Sequence, residues 1–261
     1  MNLAQEIDTI SSIIKKTLNI GDILDLDSYI YKKSVLEDIE EISRYCSTGE
    51  RILDIGCGKG YISCLLDRQG FNVEALDVKQ TVGEQLGIKD LGWQRDCWDQ
   101  LCSKGYNVNF KFYDGNKIEK PDNYYDQVVA YAVLEHVDEE SNGYDRLRLW
   151  LQEIQRVLKP GGCLFIYKCP NWYSYSESLG KLMGLGTHNR LFKKEELCKL
   201  LKSSEFEIVK IENSDLWVGF VPRKIQKAYN MLGKVLHQLE KVLLKTGLKN
   251  IAHNFKVVAR K

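Results

Sequence analysis

The segment at 51–63, RILDIGCGKGYIS, constrains the fold of this chain more than any other stretch. Its apolar run at 52–55 is typical of a buried strand, and the residues at 61–66 suit a helix. The turn at 56–60, GCGKG, joins them with glycines that let backbone approach a ligand where a Cβ would clash. A helix N-terminus also leaves N–H groups free to face a ligand. The segment therefore predicts a strand–turn–helix unit that binds a nucleotide-like molecule.

The spacing of the glycines narrows the ligand. A dinucleotide fingerprint, G-x-G-x-x-G, would place its last glycine at Tyr61. The glycines stand instead at Gly56, Gly58 and Gly60, and Asp54 precedes the first by two residues. The pattern D-x-G-x-G-x-G resembles motif I of the class I S-adenosylmethionine-dependent methyltransferases, and the resemblance implies that cofactor. A glycine-rich turn that merely joins strand to helix is the alternative.

Composition bounds the class of protein. The chain has 261 residues, 44% of them apolar, and a formal net charge of +1, which suits one large domain, alone or with additions. Eight cysteines lack C-x-x-C spacing, so we expect free thiols and no metal site. The N-terminus does not resemble a signal peptide, and no run is apolar enough to span a bilayer, so a cytoplasmic location is expected.

Two further acids follow predicted strands. The strand at 72–76 ends at Asp77, 19 residues past Gly58, the interval at which an acid accepts hydrogen bonds from ribose. The strand at 108–113 ends at Asp114, where the family often places an acid that reads the adenine amino group. A surface aspartate and a local Asp-Gly turn are the respective alternatives.

Later motifs extend the resemblance to 45–212 and 254–260. The run DQVVAYAVLEHV at 126–137 begins with a predicted fourth strand at 126–133 and is similar to the small-molecule branch that includes ubiquinone-biosynthesis methyltransferases. RVLKPGG before a strand at 164–167 is common in the family, whereas the [N/D]-P-P-[Y/F] motif of adenine and glutamine methyltransferases is absent. The resemblance implies a Rossmann-like, doubly wound α/β sheet of seven mostly parallel strands with an antiparallel C-terminal strand, and no nucleic-acid partner.

The resemblance also implies site residues and a reaction. Cofactor contacts are expected from Asp54, Gly56, Cys57, Gly58, Gly60, Asp77, Val78, Asp114, Gly115 and Tyr131. His136 and His188 are candidate general bases for transfer of a methyl group to a small-molecule or lipid-linked acceptor, at oxygen, although each also suits a structural histidine. The loop at 170–192 is expected to select the acceptor, with Trp172 and Tyr173 among its side chains. The alternatives are a cofactor-binding regulator without turnover and an NAD-dependent oxidoreductase.

Two parts of the chain lie outside the resemblance. Residues 1–44 predict an N-terminal helical cap on a methyltransferase domain at 45–261, with a helical insertion at about 213–253. The insertion has a basic amphipathic helix, and its apolar stripe is Ile225, Ala228, Leu232, Val235, Leu236, Leu239, Val242 and Leu243. We expect this stripe to pack on the domain or a second subunit. Peripheral membrane contact through 222–250 is the alternative, and the oligomeric state stays open.

Overall fold

A seven-stranded sheet organises the computed structural model, which describes residues 2–19, 25–79, 92–137, 143–184, 188–219, 221 and 223–261. The strands are β1 (Arg51–Ile55), β2 (Asn72–Val78), β3 (Asn109–Tyr113), β4 (Tyr125–Tyr131), β5 (Leu158–Pro170), β6 (Glu207–Ser214) and β7 (Asn254–Arg260). The helices are α1 (Leu3–Leu18), α2 (Tyr29–Tyr45), α3 (Tyr61–Arg68), α4 (Trp93–Ser103), α5 (Asp145–Val157), α6 (Tyr175–Leu182), α7 (Lys194–Ser203) and α8 (Arg223–Leu243).

The strand order is β3-β2-β1-β4-β5-β7-β6. The first five of these strands run parallel, while β7 is antiparallel to both β5 and β6. This confirms the predicted doubly wound α/β fold. The strand order reverses between β1 and β4. In open α/β sheets, ligands bind at such a reversal, beyond the carboxyl ends of the strands.

Two predicted strand boundaries need correction. The fourth strand ends at Tyr131, not at Val133, and Ala132 takes a left-handed conformation with φ of 54°. The fifth strand begins at Leu158, because Leu158 pairs with Tyr125 before a shift in register. The Lys-Pro-Gly-Gly segment therefore lies within β5 and does not form a separate turn.

Two buried clusters cover the two faces of the sheet. On one face, Ile10 of α1 and Ile39 of α2 are fully buried together with Trp98 of α4. On the other, α5 and α7 contribute residues such as Leu151 and Leu201. The helices α1 and α2 thus pack into the same core as the sheet. The predicted boundary between a cap and a methyltransferase domain at residue 44 stays a prediction.

The insertion between β6 and β7 contains α8 and a 3-10 turn, Gly247–Ile251. The expectation that its apolar stripe packs on the domain is wrong, because most of that stripe faces outward, and packing on a second subunit stays a prediction. The side chains that remain exposed are Ile225, Ala228, Leu232, Val235, Leu239 and Val242, together with Met231. The buried side of the helix is polar or small, with Gly233, His237 and Glu240. No helix within the described ranges is long and apolar enough to cross a membrane.

Candidate active site

The glycine turn after β1 has the shape that a close ligand requires. The N–H groups of Gly56 and Cys57 donate to the Leu76 carbonyl at 2.7 and 3.2 Å, which joins the turn to β2. Gly56 has a φ of 74°, and a Cβ there would lie 2.9 Å from Val133 Cγ1. Gly58 has a φ of 50°, and a Cβ there would meet nothing within 4 Å. The turn therefore leaves open space above Gly58 for a ligand.

Asp54 at the end of β1 is 1% exposed. Its Oδ2 accepts a hydrogen bond from Ser63 at 2.5 Å, whereas the buried Oδ1 has no hydrogen-bond partner among the described residues. Burial raises the pKa of Asp54 to about 7. A buried carboxylate oxygen without a partner is costly, and the ammonium group of S-adenosylmethionine would supply one. The site thus fits this cofactor.

Asp77 holds the turn from the neighbouring strand. Its Oδ2 accepts the Gly58 N–H at 2.7 Å, and its Oδ1 accepts the Val78 N–H at 2.8 Å. The carboxylate is 3% exposed, and burial raises its pKa although these N–H donors oppose the shift. Asp77 therefore fixes the glycine turn, and its contact with the ribose stays a prediction.

The structure places three other predicted cofactor residues near this turn. Cys57 is buried within it, and burial raises the pKa of its thiol well above the usual value. Gly60, with φ of 84°, is the N-cap of α3 and lies against Trp98. Val78 is 39% exposed at the end of β2. These positions agree with cofactor contact, which stays a prediction.

Asp114 and Tyr131 already have partners in the protein. Asp114 is exposed, and its Oδ1 accepts the N–H groups of Lys117 and Asn116 at 2.9 and 2.8 Å, which lowers the pKa of the carboxyl. Gly115 follows with a φ of 82°, so this is the local Asp-Gly turn that the sequence left open. The Tyr131 hydroxyl donates to Asp38 Oδ2 at 2.9 Å. Their roles toward the cofactor stay predictions.

A cavity of about 250 Å³ opens at the same edge of the sheet. Its walls come from α2, from the ends of β4, β5 and β6, and from the loops before α7, α8 and β7. The lining residues are Ile30, Tyr31, Ala132, Glu135, Lys168, His188, Asp215, Trp217, Gly219, His253 and Asn254. Since it adjoins the end of β4, beside the glycine turn, this cavity is a candidate acceptor site.

His188 belongs to a cluster of three titratable side chains. Its Nδ1 lies 2.7 Å from Oε1 of Glu177, which is 5% exposed on α6. His253 Nε2 lies 3.8 Å from the same oxygen, and its Nδ1 contacts the hydroxyls of Ser174 and Ser176 at 3.1 and 2.8 Å. Burial lowers the pKa of His253, which favours the neutral ring. His188 is therefore oriented by a buried carboxylate.

The side chain of His136 is more exposed than that of His188. It is 59% exposed on the 3-10 turn Leu134–His136, and its Nε2 lies 3.9 Å from Glu135 Oε1. The rings of His136 and His188 have their centroids 6.4 Å apart. The structure thus brings the two predicted bases together, and His188 is the one that lines the cavity.

Backbone strain is concentrated around this cavity. Ala132, Lys168 and Asp215 line it and have left-handed φ values of 54°, 57° and 60°. The Lys168 ammonium donates to Asp215 Oδ1 at 2.5 Å and to Ser34 Oγ at 2.6 Å. Although burial opposes the shift, Lys168 and Lys256 lower the pKa of Asp215. Non-glycine residues with such backbone cluster at functional sites because the surrounding structure must stabilise the strain.

Sequence reasoning missed much of this cavity. Glu177 and His253 are far apart in the chain, and neither belongs to a motif that signals their contact. Trp172 and Tyr173, the predicted acceptor-selecting residues, are 52% and 58% exposed and are not among the lining residues. Trp217 lines the wall instead.

Comparison with known proteins identifies the family of this chain. A family model described as a methyltransferase domain matches residues 28–211. A ubiquinone biosynthesis O-methyltransferase of Burkholderia vietnamiensis is 26% identical over 174 residues, which cover 63% of this chain and 67% of that protein.

Solved structures share the fold. An S-adenosylmethionine-dependent methyltransferase of Methanosarcina mazei superposes with a TM-score of 0.57 at 22% identity, over 85% of this chain and 96% of that one. A phospholethanolamine N-methyltransferase of Haemonchus contortus, solved with S-adenosylhomocysteine, gives 0.55 at 18% identity, over 87% and 52%. The NAD-dependent alternative is thereby set aside. The chain belongs to the methyltransferase-domain family, as a class I enzyme that uses S-adenosylmethionine.

Proposed function

We propose that the enzyme methylates an oxygen atom of a small-molecule acceptor bound in the cavity that His188 lines. Bound S-adenosylmethionine supplies a methyl carbon activated by its sulfonium leaving group. The acceptor hydroxyl gains that methyl and loses its proton, so a base is useful. The observation that carries the proposal is the Glu177–His188 pair, because a carboxylate-oriented imidazole at a cavity is the usual arrangement of a general base.

The geometry favours His188 over His136 as that base. If Nδ1–H of His188 donates to Glu177, its Nε2 carries the lone pair that accepts a proton. Glu177 is a positioning residue in this scheme, since it acts through His188. His136 is near enough to the cofactor turn that a positive charge on its ring would lower the pKa of Asp77. We therefore propose that His188 takes the proton while Asp54, Gly58 and Asp77 hold the cofactor.

A lipid-linked acceptor is the finer part of the proposal. The similar ubiquinone biosynthesis enzyme is named as an O-methyltransferase, and this supports oxygen as the acceptor atom. Residues 222–250 carry exposed apolar side chains, and through them the enzyme would contact a membrane that holds such an acceptor.

The test follows methyl label. The purified protein is incubated with methyl-labelled S-adenosylmethionine and with either the lipid-soluble or the water-soluble small molecules of a cell extract. We expect label in the lipid fraction, on an oxygen atom by mass spectrometry of the isolated product. Label on a nitrogen atom would refute O-methylation. Label in the aqueous fraction would refute the lipid-linked acceptor, and no label in either fraction would refute the proposed methyl transfer.

Two matched variants assign the base. His188→Gln should lower turnover by about 10²- to 10⁴-fold while the affinity for S-adenosylhomocysteine stays unchanged, because the cofactor contacts lie elsewhere. His136→Gln is the control, since it removes the neighbouring imidazole and leaves the Glu177–His188 pair intact. Equal losses in both variants, or turnover retained in His188→Gln, would contradict the assignment.

A further inference from the structure

The helix α8 presents three distinct faces. At 3.6 residues per turn, its buried side holds Gly233, His237 and Glu240, and its apolar stripe points away from the domain. The stripe is largely uncovered: Leu232, Val235 and Val242, for example, are 56%, 59% and 61% exposed. The exposed lysines between these two sides, along one edge of the stripe, are Lys224, Lys227, Lys234 and Lys241, of which Lys241 also pairs with Glu37 at 2.8 Å, and the exposed Lys245 follows just past the end of the helix.

Polar contacts fix this orientation. His237 Nε2 lies 2.9 Å from Glu37 Oε1 on α2, and Asn230 Oδ1 accepts the Tyr29 N–H at 3.0 Å. Gly233 sits so close to Tyr29 that a Cβ there would lie 2.5 Å from Cδ1 of its ring. A rotation of α8 that buried the apolar stripe would break these contacts and bring larger side chains against Tyr29. The outward stripe is therefore a specified feature of the fold.

The same helix touches the wall of the candidate acceptor cavity. Glu240 Oε1 accepts the Leu216 N–H at 2.5 Å. The indole of Trp217, which lines the cavity, donates from Nε1 to the Leu236 carbonyl at 2.8 Å. A surface that engages α8 thus lies next to the cavity.

We infer that the outer face of α8 docks on an anionic lipid bilayer, with the apolar stripe in the interface and the lysines at the headgroups. Glu240 is the only acidic residue between positions 222 and 250, and it is 6% exposed on the inner side. The outward charge of this segment is therefore positive, which complements anionic lipid. The same face of a second copy would cover the apolar stripe but would offer no acidic partner to the lysines, whereas an anionic bilayer accepts both features.

Docking on a bilayer would give the enzyme access to a lipid-linked acceptor, and in this respect alone the inference rests on the proposed function. Vesicle binding is measured without any acceptor, and methyl transfer can be measured with the acceptor in detergent. Failure of docking and failure of the proposed reaction are therefore distinguishable.

The experiment is cosedimentation of the full chain with phosphatidylcholine vesicles, with or without phosphatidylglycerol. We expect binding to the anionic vesicles at low salt and release at high salt. Changing Lys224, Lys227, Lys234 and Lys245 to Gln should weaken the partition by roughly fivefold per lysine. The matched control changes Lys104, Lys194, Lys199 and Lys202, which are exposed on other elements, and should bind like the wild type.

A second pair of variants tests the apolar stripe. Leu232→Gln with Val235→Gln should reduce vesicle binding at least tenfold without changing the melting temperature, because both side chains are exposed. The control is Leu149→Gln with Val209→Gln, a leucine and a valine exposed on α5 and β6. No binding at low salt, equal effects of test and control, or a dimer that only the stripe variant dissociates would overturn the inference.

Discussion

Replacing Asp77 tests the cofactor site most directly. In the structure its two carboxylate oxygens accept the N–H groups of Gly58 and Val78 at 2.7 and 2.8 Å. The predicted ribose contact adds hydrogen bonds to the same charged group, and such bonds contribute about 1.5–3 kcal/mol. Asp77→Ala should therefore weaken the affinity for S-adenosylmethionine by about 10- to 150-fold.

The same change affects the free energy of unfolding. It leaves two N–H groups without their acceptor, at a cost of about 1–3 kcal/mol each, while it relieves the burial cost of the carboxylate. We expect a net loss of about 1–3 kcal/mol, which lowers the melting temperature by several degrees and leaves the protein folded at 25 °C.

The assay is calorimetric titration with S-adenosylhomocysteine, accompanied by thermal unfolding of the free protein. Glu74→Gln is the control, because Glu74 lies on the same strand but accepts hydrogen bonds from Tyr125 and Asn109, away from the glycine turn. A folded Asp77→Ala protein with wild-type affinity would refute the ribose assignment. An equal loss of affinity in Glu74→Gln would show that any change in β2 perturbs the site.

Three further predictions concern stability. Gly56→Ala should lower the free energy of unfolding, measured with urea, by at least about 2 kcal/mol, because the new Cβ would meet Val133 and the φ at this position is positive. Gly49→Ala, where φ is 83° and no atom lies within 4 Å, should lower it by only about 1 kcal/mol. Burial raises the pKa of Asp54 to about 7, so between pH 4 and pH 7 the folded state binds a proton that the unfolded state has lost. The free energy of unfolding should therefore fall as the pH rises from 4 to 7. Asp54→Asn should lose this pH dependence, and an unchanged dependence would contradict the prediction. Glu240 and Glu37 raise the pKa of His237 to about 9, so its stabilising contribution is complete below pH 6.5 and is lost as the pH rises through 9. The hydrogen-exchange protection factors of α8, corrected for the intrinsic rate at each pH, should fall over this range in the wild type but not in His237→Gln, and an equal fall in both would contradict the prediction.

The sequence predicted the sheet and the cofactor turn well because their signals are local. Strand, glycine turn and helix at 51–66 lie within one stretch of chain, and Asp77 follows at a fixed interval on the neighbouring strand. The cluster of Glu177 with His188 and His253 was not predictable in this way, since tertiary packing brings these residues together.

The orientation of α8 was not predictable for a different reason. Its periodicity indicates an amphipathic helix, and core-facing apolar residues are the usual outcome for such a helix. Here a small residue, Gly233, and two polar side chains, Asn230 and His237, match partners on and just before α2. These specific contacts decide which side is buried, and a hydrophobic pattern contains no information about them.

If the acceptor binds in the proposed cavity, we expect its choice to depend on the cavity wall more than on the cofactor turn. The sulfonium already provides a good leaving group, so the protein mainly aligns the acceptor and receives its proton. Trp217 and Asp215, on the segment between β6 and α8, line that cavity, and α8 holds the Trp217 indole. The insertion that lies outside the family resemblance therefore forms part of the wall of the proposed acceptor cavity as well as part of the outer surface. Changes in α8 that leave cofactor affinity intact should consequently alter which acceptors are methylated.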